Sequence, residues 1–173
     1  AAFDLASGGI KLNLKGDSLN ADRYIPPAKE QPAKQQQTAT SSGERYSKEP
    51  IIPVEPLKGL NVDATLGLDK LHVTKLDIQN IALVVSAHNG LIKASKINAD
   101  MYQGTLRNNA TLDVRKSPVR IAVKKDIRGI QLGDVLKAAA DTDVISGALT
   151  SKANITARGR SVYDIVHSLN GTT

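Results

Sequence analysis

Apolar and polar residues alternate along most of the chain, and this period of two predicts a protein built mainly of β-strands. Residues 10–15 (IKLNLK) place an apolar side chain at every second position, as a strand with one buried face does. Residues 2–7 precede them, and the intervening Gly8-Gly9 predicts a tight hairpin with one apolar face. Residues 60–67 (LNVDATLG) repeat the alternation and predict a further strand.

The same pattern continues through the second half of the chain. Residues 70–87 predict two strands with a break near Thr74-Lys75, and residues 81–85 (IALVV) are apolar on both faces, as in a central strand. Asn89-Gly90 is a strong signal for a two-residue hairpin turn. The other predicted strands are 91–102 and 105–115, separated by Gly104, and one that starts at Pro118. Residues 145–158 predict one long strand or a bent pair of strands.

Two segments instead repeat apolar residues at intervals of three and four, which predicts amphipathic helices over 131–140 and 161–170. Ser161 and Asp164 predict a capping box at the start of the second helix, and Gly171 predicts its end. Consecutive strands with short turns favour an antiparallel meander. We therefore predict a mainly β fold with α elements (α+β), in which two or three short amphipathic helices cover one end or one face of the sheet.

Residues 28–50 differ in composition from the rest of the chain. They include three consecutive glutamines and many serines and threonines, but no Leu, Ile, Val or Phe. Such a segment cannot bury enough apolar surface to offset the entropy lost on ordering. We therefore divide the chain into a hairpin region over 1–27, a flexible low-complexity insert over 28–50 and a β-sheet region over 51–173, with a short helical turn at 56–59. A partner-docking segment is the alternative for the insert.

The composition limits the core and the partners. With one Phe, no Trp and one Met, the core must consist of Leu, Ile, Val and Ala, and binding of nucleic acid by base stacking is not expected. The net charge of +6 suits anionic partners, with a merely solvated surface as the alternative. There is no Cys, no apolar run of about 18 residues, and no signal peptide. Because the chain begins at Ala1 and stops just after a predicted helix, we expect a piece of a longer protein.

Groups suited to catalysis or metal binding do not converge in the sequence. His72, His88 and His167 have no partner at metal-ligand spacing, and Asp141 with Asp143 is typical of a turn after a helix. We therefore predict no catalytic residue, no metal site and no cofactor. One basic cluster is a candidate for contact with anionic headgroups, with a solvated outer face as the alternative; it comprises Arg115, Lys116, Arg120, Lys124, Lys125 and Arg128.

Several short motifs resemble, in their order along the chain, those of the AsmA family. Residues 19–27 (LNADRYIPP) resemble the segment that precedes a variable insert in that family, and residues 56–60 (PLKGL) resemble the stretch that follows it. Residues 89–104 (NGLIKASKINADMYQG) resemble a further family motif, although Lys96 stands where a proline is usual. The residues to which the resemblance gives a structural role are Asp22, Arg23, Tyr24, Pro26, Gly90, Asp100, Tyr102, Gly104, Gly147, Gly159 and Gly171.

The resemblance also implies a location and a shape. Family members are periplasmic proteins of Gram-negative bacteria, tethered to the inner membrane by an N-terminal helix and linked to outer-membrane biogenesis. They are similar to bridge-like lipid carriers, in which a curved sheet forms an apolar groove. The resemblance implies no catalytic residues, so we expect a non-enzymatic protein.

Two functions follow from these observations. The chain is either part of a lipid-conducting groove that binds phospholipid or another envelope lipid, or a scaffold whose sheet edges bind envelope proteins without lipid. An open apolar face favours the groove and a closed, helix-filled core favours the scaffold. A lipid-modifying enzyme is a third class, for which no acid–base pair is visible. The candidate groove lining is Leu60, Val62, Leu66, Ile81, Leu83, Val85, Leu112 and Val114.

Overall fold

The computed structural model describes residues 2–4, 9–23, 46–142 and 144–173, with the side chains described from residue 9 onward. The described residues form nine strands of one sheet in the order of the sequence, with β1 and β9 at opposite edges, so that the sheet is open. The strands are β1 (Ala2–Asp4), β2 (Gly9–Asn20), β3 (Asn61–Val73), β4 (Leu76–His88), β5 (Leu91–Met101), β6 (Gly104–Asp113), β7 (Arg120–Gln131), β8 (Ala148–Arg158) and β9 (Asn170–Thr172). The predicted mainly β fold with short helices is confirmed.

One strand pair departs from the predicted antiparallel meander. β1 and β2 form the predicted hairpin, and Gly9 already pairs with Asp4 inside it. β2 and β3, however, run parallel, from Ile10 beside Val62 to Asn20 beside His72. All other neighbouring strands are antiparallel. A parallel pair needs a long connection that returns to the starting end, and residues 21–60 supply it.

Three two-residue turns connect the strands from β3 to β6. Thr74-Lys75, Asn89-Gly90 and Tyr102-Gln103 each have positive φ at both residues, as the twist of a tight hairpin requires. The break at Thr74-Lys75 and the turn at Asn89-Gly90 were predicted at these residues. The third turn was placed at Gly104, which is wrong, because Gly104 is the first residue of β6. We call the two ends of the sheet the Gly90 end and the Tyr102 end after their turns.

In the described part of the chain, three short α-helices lie at these ends: α1 (Val54–Lys58), α2 (Leu132–Ala140) and α3 (Val162–His167). α2 follows β7 at the Tyr102 end and matches the predicted segment closely. The helical turn predicted at 56–59 is α1, which starts two residues earlier. The predicted capping box of α3 is present, with Ser161 and Asp164 bonded reciprocally. The predicted end at Gly171 is wrong, because α3 stops at His167 and Gly171 lies in β9, paired with Ile155.

Residues 46–60, which we call the strap, cross the Gly90 end of the sheet. At one side the Ser47 carbonyl accepts a bond from Tyr163 N (2.9 Å), and Ile51 N donates to the Arg160 carbonyl (2.8 Å). Further along, Lys58 in α1 lies over the β4–β5 turn, where a Cβ placed on Gly90 would be 3.4 Å from Lys58 Cγ. The predicted flexible insert therefore extends too far at its C-terminal side, since residues 46–50 are ordered; residues 28–45 lie outside the described residues.

The buried apolar side chains lie mostly at the two ends of the sheet. Val114 (1% exposed), Val119, Ala87 and Ala157 are buried near the strap, and Ile127 with Ile130 is buried near α2. Between the ends most apolar side chains of the sheet are only half-buried. The described core is thus split between the two ends, and the middle of the sheet is a single layer.

Candidate functional site: an apolar sheet face

The strand register sorts the side chains of the sheet onto two chemically different faces. Because side chains alternate along a strand, cross-strand partners share a face. Leu66 of β3 lies beside Leu83 of β4, which lies beside Ile97 of β5. Extended through every register, this face, the apolar face, comprises Ile10, Leu12, Leu14, Val62, Ala64, Leu66, Leu68, Ile81, Leu83, Val85, Ala87, Ile92, Ala94, Ile97, Leu106, Ala110, Leu112, Ile121, Val123, Ile127, Leu149, Ala153, Ile155 and Ala157.

The opposite face, the polar face, carries most of the charge of the sheet. The register places on it Lys11, Lys15, Asp63, Thr65, Lys93, Lys96, Arg107, Asn109, Arg120, Lys124, Asp126, Arg128, Lys152, Asn154 and Arg158. Two faces of such different polarity indicate that the polar face is suited to water and the apolar face to an apolar partner.

No second layer of the described chain covers the middle of the apolar face. The helices have five to nine residues and lie at the ends of the strands, and α2 reaches back as far as β4. At the β2 side, Leu14 is 52% exposed. From β2 to β8 there are six strand spacings of about 4.8 Å and roughly 30 Å of strand length, a footprint on the order of 900 Å². Monomeric proteins rarely leave contiguous apolar patches above a few hundred Å² uncovered.

The predicted groove lining can now be placed on this face. Val62, Leu66, Ile81, Leu83, Val85 and Leu112 all lie on it. Leu60 precedes β3 at the end of the strap and is 38% exposed. Val114 is only 1% exposed, and its N–H donates to the Gly90 carbonyl at 2.8 Å. Val114 is therefore packed core beneath the strap, and its assignment to an open lining is wrong.

The predicted basic cluster does not form one surface. Arg115 and Arg128 are each paired with a carboxylate two residues away, Asp113 and Asp126, at 2.6 Å. These hydrogen bonds hold the pKa of each carboxyl group below its usual range, because the guanidinium stabilises the charged form.

The four lysine and arginine residues that remain in the cluster are spread over three places. Lys116 is exposed in the β6–β7 connection. Arg120 and Lys124 lie on the polar face, whereas Lys125 lies on the apolar face, between Asn108 and Ala153. The alternation of β7 separates the last two, although they are adjacent in the sequence.

A cavity of about 380 Å³ lies at the Gly90 end, between α1, the β6–β7 connection and the start of α3. Its wall includes Lys116 and Arg160. It also includes Glu55, which is paired with Lys58 at 2.9 Å, and Asp164, which caps α3. The two carboxylates of this wall thus already have structural partners.

The residues highlighted by the family resemblance hold turns and strand ends. Asp22 Oδ1 accepts a bond from Thr74 N at 2.7 Å and thereby ties the 3₁₀ helix Ala21–Arg23 to the β3–β4 turn. Asp100 accepts a bond from Asn80 at 2.9 Å and pairs with Arg107 at 2.8 Å. These bonds lower the pKa of Asp100, the bond from Asn80 most of all.

The highlighted glycines sit at close approaches or at positive φ. Gly90, Gly147 and Gly159 all have positive φ, a conformation that costs other residues energy. Gly104 has no space for a side chain, and Gly171 belongs to β9. The Tyr102 carbonyl accepts a bond from Gln131 N at 3.0 Å. Arg23 ends the 3₁₀ helix, and Tyr24 and Pro26 lie outside the described residues.

Sequence reasoning missed one titratable cluster. His72 lies 2.7 Å from Asp77 and 3.6 Å from Asp22. The hydrogen bond that His72 donates to Asp77, followed by the charges of both carboxylates, raises the pKa of His72 above 6.5. In the described part of the chain, no group of three His, Cys, Asp or Glu residues is arranged to hold a metal ion. None of the described helices has both the length and the apolar character that crossing a membrane requires.

Comparison with known proteins points to one family. A family model with the description AsmA family matches residues 8–173, which is almost the entire chain. Searches of the curated proteins and of the solved structures each gave no match. At the level of the family, the match fits a role in the biogenesis of the bacterial envelope and outer membrane.

Proposed function

Because the chain belongs to the AsmA family, we propose that it is a non-enzymatic periplasmic part of an inner-membrane-anchored protein, and that its apolar face carries the acyl chains of envelope lipids. The observation that supports this function is the continuous apolar face from β2 to β8, which the described helices leave open in its middle. In this proposal the membrane anchor belongs to a part of the protein outside this chain.

The chemistry of the face suits acyl chains. Apart from Asn108, Lys125 and Ser151, its interior side chains are those of Leu, Ile, Val and Ala, which offer a surface of methyl and methylene groups without directional polar contacts. Each methylene of a lipid that leaves water for such a surface is stabilised by about 0.8 kcal/mol. Since the contacts are non-directional, a chain can shift along the strands without losing specific bonds, as a lipid conduit requires.

A structural scaffold is the second candidate function, and an open sheet edge favours it. β9 pairs only with residues 154–156 of β8, so among the described residues the outer edge of β8 is unpaired from Ala148 to Ala153. An edge of this length can accept an additional strand from an envelope protein. This role would need the backbone of β8 and not the apolar face.

Charge placed on the apolar face distinguishes the two functions. Leu83 and Val85 lie in the middle of the face, beside Leu66 and Ala64 of β3. If the face is open to lipid, Leu83→Asp and Val85→Asp should abolish lipid binding while leaving a folded protein, because the carboxylate keeps contact with water. In a packed core the same charge would cost several kcal/mol.

Val84→Asp provides the matched control. Val84 belongs to the same strand but faces the polar side, beside Thr65 and Lys96. The measurements are lipid co-purifying with each variant, by mass spectrometry, the thermal unfolding midpoint, and complementation of an envelope-defective strain by the full-length protein. Global unfolding of Leu83→Asp and Val85→Asp, with Val84→Asp folded, would refute an open lipid-binding face. Folded variants that keep lipid would refute the apolar face as the binding surface, and folded variants that lose lipid but still complement the strain would favour the scaffold.

A further inference from the structure

Among the described residues, one charged side chain lies in the interior of the apolar face, away from its margins. Lys125 of β7 shares this face with Val123 and Ile127 on its own strand, and its cross-strand partners are Asn108 on β6 and Ala153 on β8. It is half-buried, whereas its neighbour Lys124, on the polar face, is exposed.

Lys125 has no anionic partner in the part of the chain that the structure describes. The nearest carboxylate in sequence, Asp126, points to the polar face, where it is paired with Arg128 at 2.6 Å. An ammonium group that stays among aliphatic side chains, away from water, would lose hydration without gaining a counter-charge. The position of Lys125 is therefore favourable only if its ammonium group reaches solvent or meets an anion that another molecule supplies.

A second hydrogen-bond donor stands beside it. Asn108 Oδ1 accepts a bond from Asp126 N at 3.3 Å, which leaves the Asn108 side-chain NH₂ directed away from that bond. Side chains directly opposite on neighbouring strands have Cβ atoms about 5 Å apart. The ammonium of Lys125 and the amide of Asn108 can thus donate to the same oxyanion, as phosphate recognition by a cation and an amide requires.

The position of this pair along the strands matters. Lys125 is the sixth residue of the twelve in β7, so at about 3.3 Å per residue it lies roughly 15–20 Å from each strand end. Apolar residues flank it on both sides along the same face, Ile121 and Val123 toward the Gly90 end and Ile127 toward the Tyr102 end. Lys70 is on this face too, but it is exposed and lies beyond Leu68, at the margin.

We propose that Lys125, with the Asn108 amide, binds the phosphate of a phospholipid headgroup while the acyl chains of that lipid lie on the flanking apolar residues. The apolar face would then select phosphate-bearing lipids over uncharged ones. This inference rests on the proposed lipid-carrying function and adds to it the place where the lipid headgroup is held.

The test compares two lipids and three variants of the 173-residue chain. Binding of fluorescently labelled phosphatidylglycerol and of equally labelled diacylglycerol, which lacks the phosphate, is titrated in the same detergent. Lys125→Met should weaken phosphatidylglycerol binding roughly tenfold, the loss expected for one charge-assisted contact. It should leave diacylglycerol binding within about a factor of two, because methionine keeps the apolar contacts. Lys124→Met, on the polar face, is the matched control, and Lys125→Arg should retain most of the affinity because it retains the charge.

Each outcome decides a different point. Equal weakening by Lys124→Met and Lys125→Met would overturn the site, since it would indicate general attraction by the basic protein. Unchanged phosphatidylglycerol binding in Lys125→Met, or equal loss of both lipids, would overturn it as well. Competition by inorganic phosphate alone at concentrations similar to those of the lipid would show a site for free phosphate and not for a lipid. If the unaltered chain binds neither lipid, the proposed lipid-carrying function fails instead.

Discussion

Gly104→Ala tests whether the close packing at the start of β6 holds the sheet together. A Cβ built on Gly104 would lie 2.5 Å from Ile130 Cα and 2.6 Å from the Arg128 carbonyl oxygen, and closer still to Ile130 N. All three are backbone atoms of β7 near the bulge between Ile127 and Ile130. They cannot rotate away as the end of a side chain can, so β6 and β7 must separate locally. Overpacking of this kind costs 1–3 kcal/mol and occasionally more, and because only backbone is available to move we expect about 3 kcal/mol.

Gly67→Ala is the matched control for this substitution. Gly67 also lies inside a strand of the same sheet, but a Cβ there would meet only Lys15 Cγ at 3.9 Å, an ordinary contact. Alanine at such a position should be neutral or should stabilise by up to about 1 kcal/mol, since it restricts the unfolded chain. Thermal unfolding followed by circular dichroism measures both variants. For a domain of this size, about 3 kcal/mol corresponds to a midpoint lowered by roughly 6–12 °C. If Gly104→Ala melts within 2 °C or so of Gly67→Ala, the backbone contact does not constrain the sheet.

Two further predictions concern the ends of the sheet. Ser161→Ala should destabilise the protein by about 1 kcal/mol, because it removes the capping bond that Asp164 N donates to the Ser161 hydroxyl at 3.1 Å; Ser161→Thr keeps the cap, and equal melting of the two variants would contradict this. The pKa of His72 is raised above 6.5, mainly by Asp77 and further by Asp22, so its stabilising contribution is present below pH 6.5 and is lost as the pH rises through the raised value. His72→Gln should therefore reduce the stability difference between about pH 6 and pH 8 in urea titrations, and an unchanged difference would refute the assignment.

The strands and their faces could be predicted from the sequence because both are local properties. Alternation over residues 60–67 and the pair Asn89-Gly90 depend only on neighbouring residues, and the structure places a strand and a turn there. Gly104 was misassigned as a turn because two unlike causes favour glycine. Glycine is needed for positive φ and also for close backbone approach, and at Gly104 the approach of β7 is the reason. The sequence of β6 alone does not contain that information.

For the candidate site, the sequence predicts which residues share a face of the sheet but not whether that face is open. The parity of residues such as Leu83 and Val85 assigns them to one face, and the register confirms that they share it with Leu66. Alternation along a strand cannot distinguish an open face from a packed one. For this reason the predicted groove lining includes Val114, although this residue is buried beneath the strap. Alternation along β7 also predicts that Lys124 and Lys125 point to opposite faces. That Lys125 lies inside the apolar face is known only from the pairing of β7 with β6 and β8, which continue this face on both sides.

The parallel pairing of β2 with β3 changes how the insert must be understood. Composition alone predicts a flexible segment whose length is unimportant. The 3₁₀ helix that ends at Arg23 lies at the Tyr102 end, tied by Asp22 to Thr74, whereas Ser47 is bonded to Tyr163 at the Gly90 end. The two ends are separated along β3 by the eleven residue-to-residue steps from Asn61 to His72, or roughly 36 Å at 3.3 Å per residue.

A connection between Arg23 and Tyr46 must cover at least that distance, and even a fully extended bridge needs about eleven residues to do so. The sequence supplies twenty-two, from 24 to 45. A bridge of two or three residues would therefore force either β2 to separate from β3 or the strap to separate from α3. Either change exposes apolar surface, because β2 forms one side of the apolar face and the strap lies over Val114. The polar insert thus has a minimum length that the sheet topology sets, whatever its composition.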